Sequence, residues 1–419
     1  MKKIVSLLAA LLVISGCTNS ASGYVKPENQ LNDPNKVFNK KNTKNGNEKY
    51  IESLQTFALD FYSEVYQKEK NKVFSPLSIA TCFSMLYDGA NGQTKDELGK
   101  MLNYDDSFNH FEEIQNMLLS CAINSPANKV YLDVSQSLWS ADRGTFKDSY
   151  IQDMTDYYYA ELFDCVDFIN EAPKLISDWI NYKTKDFLKV KPEDFEFSVN
   201  TEFVLLNTIY LKSPWALEGL FNEKANNDST FYGQNKESIV TFMNGKVENS
   251  AFYRKDTYRI ASLDYKSGIK LNILLPNKNT NYSDILNNKD TLKELLNANK
   301  LNSYEHNDIQ WRLPKFKIKE GYDLKSILGN LGLSSATFDT PDLSAMTDLE
   351  NLYISSAKHE AGIEINNEGV EAAAYTEVTV ETKAMPSSKP EEFIVDRPFA
   401  YSITNSNGYP LFMGVINQL

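Results

Sequence analysis

Histidine and cysteine, the residues that most often build zinc sites and redox centres, are scarce in this chain. Three histidines and four cysteines are spread over 419 residues. None of them has the spacing of a metal site, so the sequence predicts neither a metal nor another cofactor. Nucleic acid is not an expected partner either, because the formal charge is −13 and no stripe rich in Lys and Arg occurs.

Signatures of common enzymes are missing as well. The sequence contains no G-x-S-x-G, no H-E-x-x-H, no Walker-type phosphate loop and no G-x-G-x-x-G after a strand. His359 begins the run His-Glu-Ala-Gly-Ile, so the second histidine of a zinc-protease motif is absent. We therefore do not expect a conventional enzyme.

The apolar content is that of a soluble protein with a large core, at 42% apolar and 24% charged residues. Length alone allows about two to three domains. The mixture of helical and strand patterns nevertheless continues from residue 48 to the end with no repeat and no second linker. We predict one α+β domain over residues 48–419.

The N-terminus has the pattern of a lipoprotein signal peptide over residues 1–16. Lys2 and Lys3 precede an apolar run, Ile4 to Ile14, that is too short to anchor the chain across a bilayer. The run ends in Ile-Ser-Gly-Cys17, which resembles the bacterial lipobox, where the cysteine is acylated and becomes the new N-terminus. An ordinary secretory signal with a chance cysteine is the alternative.

The lipobox predicts an exported protein held at the bacterial cell envelope, at the outer membrane or the cell surface. Loss of Lys2 and Lys3 would take the formal charge to −15, so membrane attachment would rest on the acyl chains at Cys17. Residues 17–47 are rich in Asn, Lys, Ser, Gly and Pro and predict a flexible tether.

Beyond the tether, apolar spacing predicts particular elements. A first amphipathic helix is indicated by Ile51, Leu54, Phe57, Ala58, Phe61 and Val65. The run Phe203–Leu211 predicts a strand covered on both faces, and Leu271–Leu275 a shorter buried strand. Cys82 lies in an apolar stretch and is expected to be a buried free thiol. The spacing of Cys121 and Cys165 allows a disulfide but does not require one.

The segment from Gly369 to Pro390 combines two patterns that rarely occur together. Its uncharged face consists of Val370, Ala372, Ala374, Thr376, Val378, Val380 and Thr382, whereas most odd-numbered positions are polar. This alternation is typical of a strand about 45 Å long with one buried face. The residues that follow, Lys383 to Pro390, have the composition of an exposed, protease-sensitive loop. The segment therefore suits both a bait loop and a central strand, with a permanent edge strand as the alternative.

An ordered series of motifs over about residues 47–417 resembles the serpin family. The motifs are Asn71–Ile79 with Met85, Gly89, Ala90, Gly92, Thr94, Glu97 and Leu98; Ile176, Trp179 and Thr184; Leu206–Lys212 with Trp215; Leu313–Phe316; Leu331 and Gly332; His359; Asp396–Phe399; and Leu411–Gly414. Each piece is weak alone, but the ordered set is specific.

The resemblance implies a serpin fold, in which large mixed β-sheets are surrounded by helices and a reactive-centre loop, here about residues 367–392, is exposed. It implies a suicide-type protease inhibitor and not an enzyme. A serine protease, or a cysteine protease, would attack the loop and be trapped covalently as an acyl-enzyme when the loop inserts into the central sheet. The inhibitor would be a monomer without a cofactor. Its hinge would comprise Asn367, Glu368, Gly369, Val370, Glu371, Ala372, Ala373, Ala374, Tyr375 and Thr376.

The same resemblance places the reactive bond. In the family the bond follows the residue sixteen positions after a hinge glutamate, a position that Asn367 occupies here, which gives Lys383–Ala384. A lysine before the bond suits the acidic pocket of trypsin-like proteases. Alternatively, Lys383 only keeps the loop soluble, and cleavage after Thr382, Ala384 or Met385 would favour elastase-like or subtilisin-like targets.

Three buried-looking residues, Ser75, Asn207 and His359, match family positions that form a hydrogen-bonded cluster beneath the central strands and control sheet opening. An ordinary core histidine is the plainer interpretation of His359. The hinge departs from the family at Asn367, where the usual glutamate would carry an anchoring charge.

Smaller departures are Val370 for the usual threonine, Tyr375 for a small residue and Ser177 for asparagine. The alternative function is that of a serpin-fold surface lipoprotein that binds a ligand or host factor without inhibiting a protease.

Overall fold

The computed structural model describes residues 45–141, 145–164, 166–301, 305–354, 356–370 and 390–419. Within these ranges the chain forms ten α-helices. They are α1 (Glu48–Val65), α2 (Pro76–Gly89), α3 (Gly92–Met101), α4 (His110–Ser120), α5 (Asp148–Asp156), α6 (Ala172–Lys183), α7 (Tyr282–Leu286), α8 (Lys289–Leu296), α9 (Leu324–Asn330) and α10 (Ser335–Asp339).

The same residues form sixteen strands. They are β1 (Lys72–Phe74), β2 (Ile123–Ser125), β3 (Val130–Ser140), β4 (Glu161–Phe163), β5 (Phe203–Pro214), β6 (Asn227–Tyr232), β7 (Glu237–Arg254), β8 (Tyr258–Asp264), β9 (Lys270–Pro276), β10 (Glu305–Pro314), β11 (Phe316–Asp323), β12 (Lys358–Asn366), β13 (Gly369–Val370), β14 (Glu391–Ile394), β15 (Phe399–Thr404) and β16 (Pro410–Ile416).

Two sheets organise the described strands. The nine-stranded sheet has the order β1-β16-β15-β9-β8-β7-β10-β14, with β6 paired to β7. The seven-stranded sheet has the order β11-β12-β13-β5-β3-β2, with β4 paired to β3. This arrangement of two large sheets with surrounding helices agrees with the architecture that the motif resemblance implies.

The first helix shows how local pattern and core agree. Asn47 caps α1 by accepting a hydrogen bond from the Lys49 backbone N–H at 2.9 Å. All six residues that predicted the helix, from Ile51 to Val65, are buried. The helix therefore covers one side of the main hydrophobic core, which also contains β15 and β16.

A smaller apolar cluster packs α6 against the outer part of the seven-stranded sheet. Its centre contains Trp139 from β3 and Trp179 from α6, both fully buried. The Glu161 carboxylate on β4 accepts a hydrogen bond from Trp179 Nε1 at 2.6 Å and lies 3.1 Å from Lys183 Nζ. These contacts hold α6 to the sheet.

One of the two strand predictions needs correction. The strand β5 forms as predicted, but it is not covered on both faces, since positions 203–207 are only half-buried. One edge of this strand has no partner among the described residues along 203–212, which leaves these side chains partly open. The shorter strand β9 is buried throughout Leu271–Leu275, as predicted.

The cysteines also differ in part from expectation. Cys82 is half-buried and not fully buried, because it lies on α2 facing β5, with Sγ 4.0 Å from the Leu205 carbonyl oxygen. Cys121 is a buried free thiol, so it takes part in no disulfide. Cys165, with which the spacing allowed a disulfide, lies outside the described residues.

Candidate functional site

Within the described residues, the seven-stranded sheet lacks strand pairing along its middle. The outer edge of β5 pairs with β3 over Phe203–Lys212, and the outer edge of β12 pairs with β11 over Lys358–Ile365. No pairing joins the two facing inner edges within the described residues. We call the space between inner-edge residues 203–212 and 358–364 the acceptor gap.

One end of the acceptor gap is closed by the short strand β13. Asn366 pairs with Gly369 and Ile365 with Val370, which makes a hairpin of β12 and β13 around Asn367 and Glu368. On its other side, β13 pairs with the end of β5, Gly369 with Pro214 and Val370 with Ser213. Gly369 and Val370, the first two residues of the alternating segment Gly369–Pro390, are therefore already a strand between β12 and β5.

Gly369 is required at this point by both its backbone and its surroundings. Its φ is +144°, a conformation that L side chains rarely adopt. A Cβ here would lie 2.1 Å from the Ser213 carbonyl oxygen and 2.8 Å from Pro214 Cα. Any side chain at position 369 would push β13 away from β5.

We expect Gly369→Ala to release β13 from between its neighbours, at a cost of about 2 kcal/mol from backbone strain and the exposure of Val370. The measurement is hydrogen exchange at the Trp215 amide, which donates to the Glu368 carbonyl oxygen at 3.1 Å. Gly321→Ala is the matched control, because its Cβ would meet nothing within 4 Å on β11. Equal exchange at Trp215 in both variants would show that Gly369 does not hold this end.

Val370 shows which face of the segment points inward. Its side chain is 3% exposed, and it lies beside Ile365 and Ser213, which are also buried. This orientation agrees with the prediction that the even-numbered positions face the core. The remaining predicted hinge residues, Glu371 to Thr376, lie outside the described residues, as do Lys383, Ala384 and Cys17.

The N-terminal end of α2 lies beneath the acceptor gap and contacts both of its walls. Ser75 caps this helix, and its backbone N–H donates to His359 Nε2 on β12 at 3.1 Å. Ser78 Oγ donates to Asn207 Oδ1 on β5. Asn207 Nδ2 is buried and has no hydrogen-bond partner in the described structure.

The three predicted cluster residues are thus neighbours, but they are not all bonded to one another. Asn207 bonds to neither Ser75 nor His359; Ser78 supplies the link, since its backbone N–H donates to Ser75 Oγ at 3.1 Å. Ser78 belongs to the motif Asn71–Ile79, but this role was not predicted for it from the sequence. The available signal was its position three residues after Ser75, which is the position of the third helical residue after an N-cap.

His359 is held as a neutral acceptor. Burial lowers the pKa of its imidazole to about 3. Since Nε2 accepts from the Ser75 N–H, the ring proton is on Nδ1. The ring stacks on Tyr322 with centroids 6.2 Å apart. A buried histidine with so low a pKa is not suited to act as a general base near neutral pH.

This buried imidazole predicts a pH dependence of stability. Above pH 6.5 the imidazole is neutral in both the folded and the unfolded chain, so it adds no pH dependence to the free energy of unfolding. Between pH 6.5 and about 3 the unfolded chain binds a proton that the folded chain does not. For each unit that the pH falls in this range, the free energy of unfolding of wild type should decrease by about 1.4 kcal/mol relative to that of His359→Gln. The glutamine side chain of this variant can still accept the Ser75 hydrogen bond through Oε1. Urea unfolding at pH 5, 6, 7 and 8 measures this difference; a constant difference from pH 8 to pH 5 would contradict it.

The closed end of the acceptor gap is built around Trp215. Its indole Nε1 donates to the Asn366 carbonyl oxygen at 3.1 Å, and its ring stacks on Tyr265 at 4.6 Å. The first contact joins the hairpin turn to the end of β5, and the second joins that end to Tyr265 after β8. The sequence identified Trp215 only as part of a motif.

The side chain of Asn367 is anchored without the charge of the glutamate that is usual in the family. Its buried side chain and that of Asn226 form an amide pair, with N–O distances of 2.9 and 3.0 Å. Asn367 Nδ2 also donates to the Phe221 carbonyl oxygen at 2.9 Å. Neutral hydrogen bonds therefore hold this position, where the family usually has a charged glutamate.

The described residues contain no group of His, Cys, Asp or Glu side chains arranged to hold a metal ion. Among the helices of the described ranges, none has the length and apolar character needed to cross a membrane. In the part of the chain that the structure describes, the site therefore consists of two strand edges without a strand partner, an anchored start of the hinge at residues 367–370, and a neutral polar cluster below.

Comparison with known proteins points to a single family. The family model "Serpin (serine protease inhibitor)" matches residues 52–419. An uncharacterized serpin-like protein of Thermococcus kodakarensis is 28% identical, with 99% of this chain and 98% of the relative covered. Serpin B10 of Rhinolophus ferrumequinum is 31% identical, with 86% and 97% covered.

Solved structures show the same fold. The thermophilic serpin tengpin in its native state has a TM-score of 0.77 at 22% identity, covering 90% of this chain and 96% of tengpin. Serpin48 of the insect Tenebrio molitor has a TM-score of 0.75 at 26% identity, covering 89% and 99%.

Proposed function

Because the chain belongs to the serpin family of serine protease inhibitors, we propose that it traps a target serine protease by inserting its cleaved reactive-centre loop into the acceptor gap. The observation that carries this proposal is β13. Gly369 and Val370 already pair with both β12 and β5, and the same pairing, if extended, would make the rest of the segment a strand between them.

Extension of the observed register gives the proposed final position of each residue. Ile365 pairs with Val370 and Ser213 with Val370, so Ala374 would lie opposite Ala361 and Ile209. Thr376 would lie opposite His359 on one side and Asn207 on the other. The Thr376 hydroxyl could then accept the hydrogen bond that Asn207 Nδ2 does not make now.

The energetics of the proposed insertion are favourable. Burial of Val378 and Val380 would contribute about 3–6 kcal/mol. Each new main-chain hydrogen bond to β5 or β12 adds about 1 kcal/mol. The uncharged face of the segment has no charge that would have to lose its hydration, so insertion stabilises the cleaved chain.

We propose Lys383–Ala384 as the bond attacked and a trypsin-like protease as the target. Incubation of the full chain with trypsin should give an adduct that resists SDS and a released C-terminal peptide that begins at Ala384. The cleaved chain should also withstand heat much better than the intact chain. Cleavage with neither an adduct nor a gain in heat resistance would instead support a serpin-fold binding module.

We also propose that Cys17 is acylated and holds the inhibitor at the cell envelope. Cys17→Ser should abolish palmitate incorporation and move the protein from the detergent phase to the aqueous phase in a phase-partition assay. Cys82→Ser is the control, since it also removes one thiol. Unchanged labelling of Cys17→Ser would show that the lipid is absent or lies elsewhere.

A further inference from the structure

A second site lies at the other end of the loop, beside β14. A surface cavity of about 500 Å³ is bordered by Arg259 from β8, by Asn277 and Lys278 after β9, by Glu391 from β14 and by Arg397. It joins the turn after β9 to the first strand that follows the reactive-centre loop. The acceptor gap and its polar cluster do not contribute to it.

Two arginine side chains, Arg259 and Arg397, border this cavity. The Arg397 side chain is 3% exposed and that of Arg259 17% exposed. Lys278 lies at the rim, and Arg254 of β7 reaches the same carboxylate as Arg259. Guanidinium groups held in fixed orientations by burial are well suited to grip an oxyanion through two N–H donors.

The carboxylates nearby are shared and do not neutralise the cations fully. Asp396 pairs with Arg397 Nη1 and lies 3.2 Å from Lys278 Nζ. Glu391 Oε1 lies 2.8 Å from Arg254 Nη2 and 3.7 Å from Arg259 Nη1. Two carboxylates thus serve four cations.

Glu392 is the third carboxylate at the rim of the cavity. With it included, the group still carries a net charge of +1 in a chain whose formal charge is −13. The cavity is therefore a locally positive site on an acidic protein.

Arg259 has hydrogen-bonding capacity left over. Its Nη1 donates to the Glu392 main-chain oxygen at 2.9 Å, but its Nε is buried and has no partner in the described structure. Burial and the nearby charge of Arg397 lower the pKa of Arg259. Both effects would be offset by one more anion close to this side chain.

We propose that this cavity binds a free tetrahedral oxyanion, phosphate or sulfate, between Arg259, Lys278 and Arg397. The ion would connect the turn after β9 with β14 and so stabilise the point where the reactive-centre loop rejoins the sheet. Asn277 faces the same cavity but holds its own turn, since its Nδ2 donates to the Asp256 carbonyl oxygen at 2.9 Å.

The test is isothermal titration of the intact chain with sodium phosphate, and separately with sodium sulfate, at constant ionic strength. We expect saturable one-site binding to wild type. Arg259→Gln should weaken it at least about tenfold, the loss of one charge-assisted contact. Lys278→Gln should also weaken it and cannot be mistaken for a folding defect, because Lys278 is 66% exposed.

Lys174→Gln is the matched control, an exposed lysine on α6 that pairs with Asp178. It should bind phosphate as wild type does. Phosphate and sulfate also stabilise proteins in general by exclusion from their surfaces, an effect that does not saturate. Binding that fails to saturate, or that is equal in wild type and both cavity variants, would overturn the proposal.

Discussion

Ala374→Glu is expected to convert the protein from an inhibitor into a substrate of its target. If the register of β13 continues in the proposed insertion, residue 374 would lie on the inward face of the acceptor gap, opposite Ala361 and Ile209. A carboxylate buried there without a partner costs several kcal/mol. A rise of about 3 kcal/mol in the activation free energy of insertion lowers the insertion rate on the order of 100-fold. Deacylation would then release most of the protease before it is trapped.

The measurement is the number of inhibitor molecules consumed per molecule of trypsin inhibited. Thr379→Glu is the control, because odd-numbered positions of the segment already carry Glu371, Glu377 and Glu381. This variant should inhibit as wild type does. Tight inhibition by Ala374→Glu, at one molecule per protease, would count against insertion of this face.

Lys383→Ala is expected to remove the adduct with trypsin. The acidic pocket of a trypsin-like protease gains its selectivity from an ion pair with the residue before the scissile bond, and alanine cannot form this pair. The SDS-resistant band should fall below detection with trypsin. An adduct with an elastase-like protease should appear instead, since a small side chain suits that pocket.

Lys389→Ala offers a matched control within the same segment, with the same change of charge six residues later. It should keep the trypsin adduct. The assignment of the bond is wrong if Lys389→Ala loses the adduct and Lys383→Ala retains it. N-terminal sequencing of the released peptide then gives the true bond.

Local pattern was sufficient where burial follows directly from spacing. The six apolar positions of α1 are all buried, and β9 forms as predicted, because a periodic apolar face specifies both the element and its orientation. The serpin fold followed from motifs spread along the body of the chain. The inward direction of Val370 also followed from alternation alone.

Contacts between distant parts of the chain could not be derived this way. Ser78 and Asn207 are 129 positions apart, and only the packing of α2 under β5 brings them together. Asn367 and Asn226 are 141 positions apart in the sequence, so the sequence could not predict the amide pair that stands where the family usually has a glutamate charge. The half-exposure of β5 was missed because an apolar run says nothing about whether both edges of a strand are paired.

The central claim is that the cleaved segment becomes a strand between β5 and β12. A crystal structure of the chain after cleavage in the loop by a non-target protease tests it most directly. The account predicts residues 371–377 paired with both strands and residues 378–380 paired with β5, with Thr376 between Asn207 and His359. A cleaved chain in which the inner edges of β5 and β12 stay unfilled, with these residues outside the sheet, would contradict it.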